Sequence, residues 1–131
     1  MGLPAQNCIH HHFCGKGVAV EHDGSVYSCD HYVYPEYRLG TLREQPLADM
    51  VFSPAQVKFG YAKSETLPRY CRECAYLRDC WGECPKNRLT RTPDGEPGLN
   101  YLCAGFKRFF QHALPEVDRI AAVLRKDAPI R

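Results

Sequence analysis

Between Gly17 and Cys29 the chain reads GVAVEHDGSVYSC, two short stretches of alternating or β-branched residues on either side of Asp23-Gly24. Asp-Gly between two such runs is a hairpin signal, so the segment predicts two antiparallel strands joined by a two-residue turn. The hairpin returns Cys29 to the place where its first strand began, which brings Cys14 and Cys29 together across fourteen intervening residues. The period is then lost: DHYVYPEYRLGTL, residues 30–42, is rich in aromatic residues and reads as a loop.

From Pro46 to Lys63 the pattern turns helical, in two pieces broken at Ser53-Pro54. Ser53 suits the cap of the second piece and Pro54 its first turn. Val57, Tyr61 and Ala62 fall on one face at helical spacing and are its expected inner side. NRLTRTPDGEPGLN, residues 87–100, carries two prolines and two glycines and reads as an exposed loop. Past Cys103, Phe106, Phe109, Phe110, Val117, Ile120, Ala121 and Leu124 recur at spacings near three and four. Pro115 is expected to divide that stretch into two helical pieces. Such a stripe ordinarily packs on its own domain; the alternative is that it docks onto another one.

Composition adds a constraint. A chain of 131 residues with 44% hydrophobic residues makes one domain, but ten prolines and ten glycines work against long regular elements, and there are eight cysteines. A small α+β fold is therefore expected, a short hairpin with helices and irregular loops organised by cross-links or metals. MGLPAQNC has neither the basic nor the apolar part of a signal peptide, and no apolar run approaches membrane-spanning length. The expectation is a cytoplasmic protein, where structural disulfides are rare and metal ligation leads. A net charge of +2 with mixed signs gives no basic surface for nucleic acid.

The cysteines of CRECAYLRDCWGECP, residues 71–85, are separated by two, five and three residues. A zinc ribbon wants two C-x2-C knuckles a dozen or more residues apart, and only Cys71 with Cys74 is such a knuckle. Bacterial cluster-binding runs end in C-x3-C-P, the last cysteine serving a neighbouring cluster, and Cys80, Cys84 and Pro85 reproduce that ending. On that logic Cys71, Cys74 and Cys80 serve one centre, and Cys84 joins Cys8, Cys14 and Cys29 at the other. Cys103 remains for the first. A second partition puts all four cysteines of residues 71–84 on one metal and Cys8, Cys14, Cys29 and Cys103 on the other. Three classes of function stay open: a redox module of a larger enzyme, a zinc-stabilised protein-interaction domain, and an independent ferredoxin-like carrier.

Cys14-x9-Gly24-x4-Cys29, then Cys71-x2-Cys74-x5-Cys80-x3-Cys84, then Cys103 resembles the SPASM domain of peptide-modifying radical S-adenosylmethionine enzymes, over nearly the whole chain. EHDGSVYSCDHYVYPEYRLGTL together with Cys8 looks like the anaerobic sulfatase-maturating enzymes, which oxidise a cysteine or serine of a sulfatase to formylglycine. A SPASM module of another peptide-modifying enzyme is the alternative.

The resemblance implies two auxiliary 4Fe-4S clusters, cluster one on Cys8, Cys14, Cys29 and Cys84, cluster two on Cys71, Cys74, Cys80 and Cys103, with zinc as a chemically tolerated substitute. It implies electron relay from a substrate radical, and Asp30, beside Cys29, as general base. The field of thiolates around a cluster is expected to raise that carboxylate's proton affinity. The C-x3-C-x2-C motif of the radical-generating barrel does not occur here. Residues 1–131 are thus expected to form one auxiliary module with a C-terminal helical segment, inactive alone. Its implied partners are the barrel of the same enzyme, where S-adenosylmethionine binds, a sulfatase peptide and an electron acceptor. The histidines His10, His11, His12 and His31 are expected to be loop or surface residues, and Tyr32, Tyr34 and Tyr37 to pack around a cluster.

Overall fold

The computed structural model describes residues 5–126. Its first sheet contains the expected hairpin, β1 (Ala19–Val20) and β2 (Ser25–Tyr27), with Val20 opposite Val26. The turn differs from expectation. Glu21 N–H donates to Ser25 O and Gly24 N–H to Glu21 O, both at 2.9 Å, leaving a three-residue connection of His22, Asp23 and Gly24. Gly24 ends it at φ 87°, and the Asp23 carboxylate holds Ser25 N–H at 2.8 Å. A three-residue hairpin closed by a left-handed glycine satisfies the strand twist as a two-residue turn does.

The stretch expected to be an aromatic loop supplies β3 (Arg38–Thr41), antiparallel to β2, so the sheet runs β1-β2-β3. Residues 87–100, also expected to be loop, form a second hairpin from β4 (Thr90–Arg91) and β5 (Pro97–Leu99). It repeats the first turn: Thr92 N–H reaches Glu96 O at 2.8 Å, Gly95 N–H reaches Thr92 O at 2.9 Å, and Gly95 has φ 87°. Asp94 takes the Thr92 hydroxyl at 2.6 Å and the Arg69 guanidinium at 3.0 Å, tying this hairpin to the cysteine run.

Two helices follow the first sheet, α1 (Leu47–Val51) and α2 (Pro54–Glu65). Ser53 Oγ accepts from Gln56 N–H at 3.2 Å, the expected cap. The inner face of α2 is not the apolar one. Val57 and Tyr61 are exposed, while Gln56, Gly60 and Lys63 are buried. These three lie at helical spacing, and each makes a hydrogen bond to the backbone of another segment. Gln56 Nε2 donates to Gly15 O and Ser28 O at 3.0 Å each, Gly60 O accepts from Cys14 N–H at 3.2 Å, and Lys63 Nζ donates to Cys8 O and, at 2.8 Å, to Ile9 O.

The single-turn helices α3 (Arg69–Arg72) and α4 (Leu77–Cys80) carry Cys71 and Cys80 of the central run. Leu67, Cys71 and Leu99 form a small apolar core, flanked by Tyr70, Leu77, Trp81 and Cys103. The last element, α5 (Cys103–Lys126), runs through Pro115 without dividing. A long helix absorbs a proline as a local bend when the turns on both sides stay bonded. The apolar stripe of α5 packs on its own domain at Phe106, Phe110 and Ala121, whereas Phe109, Val117, Ile120, Val123 and Leu124 are exposed. Among the described residues no helix is long and apolar enough to cross a membrane.

Candidate metal centres

The stretch between Cys80 and Cys84 is built from three consecutive left-handed residues, Trp81 at φ 49°, Gly82 at φ 66° and Glu83 at φ 53°. For tryptophan and glutamate that conformation costs roughly 1–2 kcal/mol each, so the surroundings must hold it. Arg88 does so from one side, Nη2 donating to Trp81 O at 3.0 Å and Nε to Gly82 O at 3.2 Å. On the other, the buried Glu83 carboxylate accepts from Asn87 at 2.8 Å and Asn100 at 2.6 Å. A left-handed turn reverses the direction in which flanking side chains emerge, and Cys80 and Cys84 enter different surroundings.

All eight cysteines are free thiols. Cys71, Cys74, Cys80 and Cys103 line one largely apolar cavity with Tyr70, Tyr76, Leu77, Phe106 and Phe110. Burial, then the neighbouring Cys103 and Cys80, push the Cys71 thiol up to about 11. Cys80 is raised by burial against the opposing Gly82 and Glu83 N–H groups, and by Cys103 and Cys74. The remaining four gather elsewhere. Burial raises Cys14 against the pull of Lys63, with Cys84 and Cys8 adding to the rise. Cys29 is pushed to about 11 by burial, opposed by His31 N–H and helped by Asp30 and Cys84.

One backbone effect recurs: the N–H two residues on, from His31, Gly82 and Lys86, opposes the burial that raises the thiols of Cys29, Cys80 and Cys84. Four thiols lining one apolar cavity, with the Gly82 and Glu83 N–H groups near Cys80, are a donor set that fits an iron-sulfur cluster.

Asp30 lies at the rim, exposed, with the Cys29 thiol donating to its Oδ1 at 3.2 Å. That bond, ahead of burial's opposing effect, lowers the Asp30 carboxyl below its usual range, the reverse of the expected rise. The expectation concerned a deprotonated Cys29, which cannot donate and repels a carboxylate. His31 was missed by sequence reasoning: its Nδ1 lies 3.4 Å from Cys84 Sγ, and its place two residues after Cys29 was the only signal.

His12 stays exposed as expected, while His10 and His11 make contacts beyond the surface. His11 is buried with Nδ1 2.9 Å from Phe13 O, and His10 Nδ1 lies 3.0 Å from Asp79 O, joining the Cys8 segment to α4. Tyr32 packs edge-on against Tyr37 at 4.8 Å and Phe59 at 5.2 Å, its hydroxyl pushed to about 12 by burial and then by Cys84. Tyr34 stays exposed and accepts from Lys86 Nζ at 2.6 Å.

A small α+β chain whose free thiols converge on shared apolar surroundings defines a cysteine-rich metal-binding domain. The profile of the SPASM family, an iron-sulfur cluster-binding domain, matches residues 8–75. The chain belongs to that family. Cys80, Cys84 and Cys103 lie past the matched stretch.

The chain is 50% identical over 118 residues to a serine-type anaerobic sulfatase-maturating enzyme of Bacteroides thetaiotaomicron, covering 90% of the chain and 28% of that relative. It is 32% identical over 108 residues to a cysteine-type enzyme of Clostridium perfringens, covering 82% of the chain and 29% of the relative. The solved structure of native anSMEcpe with bound AdoMet and Cp18Cys peptide superposes with a TM-score of 0.75 at 30% identity, covering 92% of this chain and 33% of that one. The chain therefore spans between 28% and 33% of the length of these relatives.

Proposed function

We propose that this chain is the auxiliary-cluster module of a cytoplasmic radical S-adenosylmethionine enzyme that oxidises a cysteine or serine of a sulfatase to formylglycine. In this reading it holds two 4Fe-4S clusters, one on Cys8, Cys14, Cys29 and Cys84, the other on Cys71, Cys74, Cys80 and Cys103. The observation that carries it is the left-handed turn at residues 81–83, before which Cys80 lines the cavity of Cys71, Cys74 and Cys103 and after which Cys84 interacts with Cys8, Cys14 and Cys29. The named activity of the relatives and the peptide bound in a solved relative support the substrate class.

Bound in such sites, iron-sulfur clusters accept and pass on single electrons. The barrel of the same polypeptide removes a hydrogen atom from the substrate's β-carbon. The resulting radical has one electron to lose, which clusters held by these cysteines would accept and hand to an external acceptor, and one proton, which Asp30 takes. The chain's own residues hold the sulfurs, direct N–H groups at them, and exclude water with Tyr32, Tyr37 and Phe59. The exposed stripe of α5, from Phe109 to Leu124, is the surface offered to the barrel.

Metal and sulfide analysis of the anaerobically reconstituted chain tests the ligand sets, with about eight irons and eight sulfides expected. Cys80→Ala and Cys84→Ala should each leave about four irons. Combining Cys80→Ala with Cys103→Ala should still leave about four, whereas combining it with Cys84→Ala should leave almost none. Retention of about four irons by the Cys80, Cys84 double variant sinks the proposal, as does zinc without sulfide in the wild-type chain.

A separate measurement addresses the proton. In the complete enzyme, Asp30→Asn should keep its iron and lose at least about a hundredfold in turnover; unchanged turnover removes Asp30 from the mechanism.

A further inference from the structure

Three cations lie close to the thiols, and they are not equivalent. Lys63, buried against the Cys8 segment, interacts with Cys14, Cys8 and Cys84, all of one set. Lys107 lines the cavity of the other set, held by Tyr70 OH at 2.7 Å, and interacts with Cys74 and Cys103. Arg88 differs from both. Its guanidinium sits behind the turn that links Cys80 to Cys84, bonded to Trp81 O, Gly82 O and, at 3.4 Å, Thr66 Oγ1. From there it interacts with Cys71 of one set and with Cys14 and Cys84 of the other.

We infer that Arg88 is the shared counter-cation of the two thiol sets, setting the reduction potentials of both clusters together, while Lys107 acts on one of them alone. The inference rests on the two-cluster reading above. A fixed positive charge favours the reduced, more negative form of a cluster and so raises its potential. Arg88 is half-buried, which limits screening by salt, and a guanidinium does not lose its proton at any working pH. Burial lowers its proton affinity somewhat and the thiols of Cys71, Cys14 and Cys84, with Tyr32, oppose that. The same contacts brace the left-handed turn, so Arg88 combines a positioning role with an electrostatic one. The two roles separate experimentally, because lysine keeps the charge but not the planar fork.

The test uses the full chain reconstituted with iron and sulfide, titrated potentiometrically and followed by electron paramagnetic resonance. Arg88→Gln should keep its iron and move both midpoint potentials to more negative values. Arg88→Lys should return both towards wild type, and Lys107→Gln should move only one. An Arg88→Gln chain with full iron in which one midpoint or neither moves overturns the inference. If Arg88→Gln loses iron, recovery of iron and of both midpoints in Arg88→Lys supports it. Failure of Arg88→Lys to recover them overturns it, since the turn would then need the fork and not the charge. A wild-type chain without about eight irons refutes the two-cluster reading itself, a result distinguishable from either.

Discussion

Replacing Lys63 by methionine is expected to destabilise the folded chain by about 1–3 kcal/mol. Methionine keeps the length and apolar stem of the side chain, which is almost fully buried, and removes only the ammonium head. What is lost is the pair of hydrogen bonds to Cys8 O and Ile9 O, the latter at 2.8 Å. Ile9 O is left without its donor, which costs about 1–3 kcal/mol, whereas Cys8 O keeps the His11 N–H at 3.3 Å. Relief of the desolvation that lowers the Lys63 pKa offsets part of this. With total stabilities of about 5–15 kcal/mol, the loss is a large fraction. Urea denaturation should show the midpoint fall by about 1–2 M; a change within error would mean that water replaces the ammonium at both carbonyls.

Gly60→Ala is the second large effect. A β-carbon at residue 60 would overlap the ring of Phe13. Tyr61 meets that ring edge-on at 4.9 Å and limits its retreat. Gly60 O also anchors Cys14 N–H, so whatever moves Phe13 moves a proposed ligand. Overpacking of this kind costs about 1–3 kcal/mol or more. Gly60→Ala should accordingly lower stability by that amount and reduce iron from about eight to about four per chain, sparing the Cys71 set. Gly17→Ala is the control, since nothing lies within 4 Å of a β-carbon there. Equal stability and iron content in the two variants would remove the assignment of Phe13 and Gly60 as a rigid wedge.

Features written in local chemistry were legible in the sequence: the Asp-Gly hairpin, the Ser53 cap and the unusual C-x3-C-P ending. Elements that depend on a distant partner were not. Strand β3 exists because β2 offers it an edge, and nothing within DHYVYPEYRLGTL announces that. The second hairpin uses the same Asp-Gly turn as the first, but its strands are two and three residues long and one begins at Pro97, which hides the pattern. The inner face of α2 was misassigned because periodicity counts apolar residues, whereas this helix packs on carbonyl groups. Lys63 and Arg88 look like ordinary surface cations in the chain; Lys63 meets a carbonyl 55 residues away.

The polar edge of α2 works as a jig. Gln56, Gly60 and Lys63 clamp the backbone next to Cys29, at Cys14 and at Cys8 in turn, so one rotation and one height of a rigid rod index three loops that share no strand. Ordering those loops is a cost met on folding rather than on metal capture, which leaves the first site pre-shaped for its cargo.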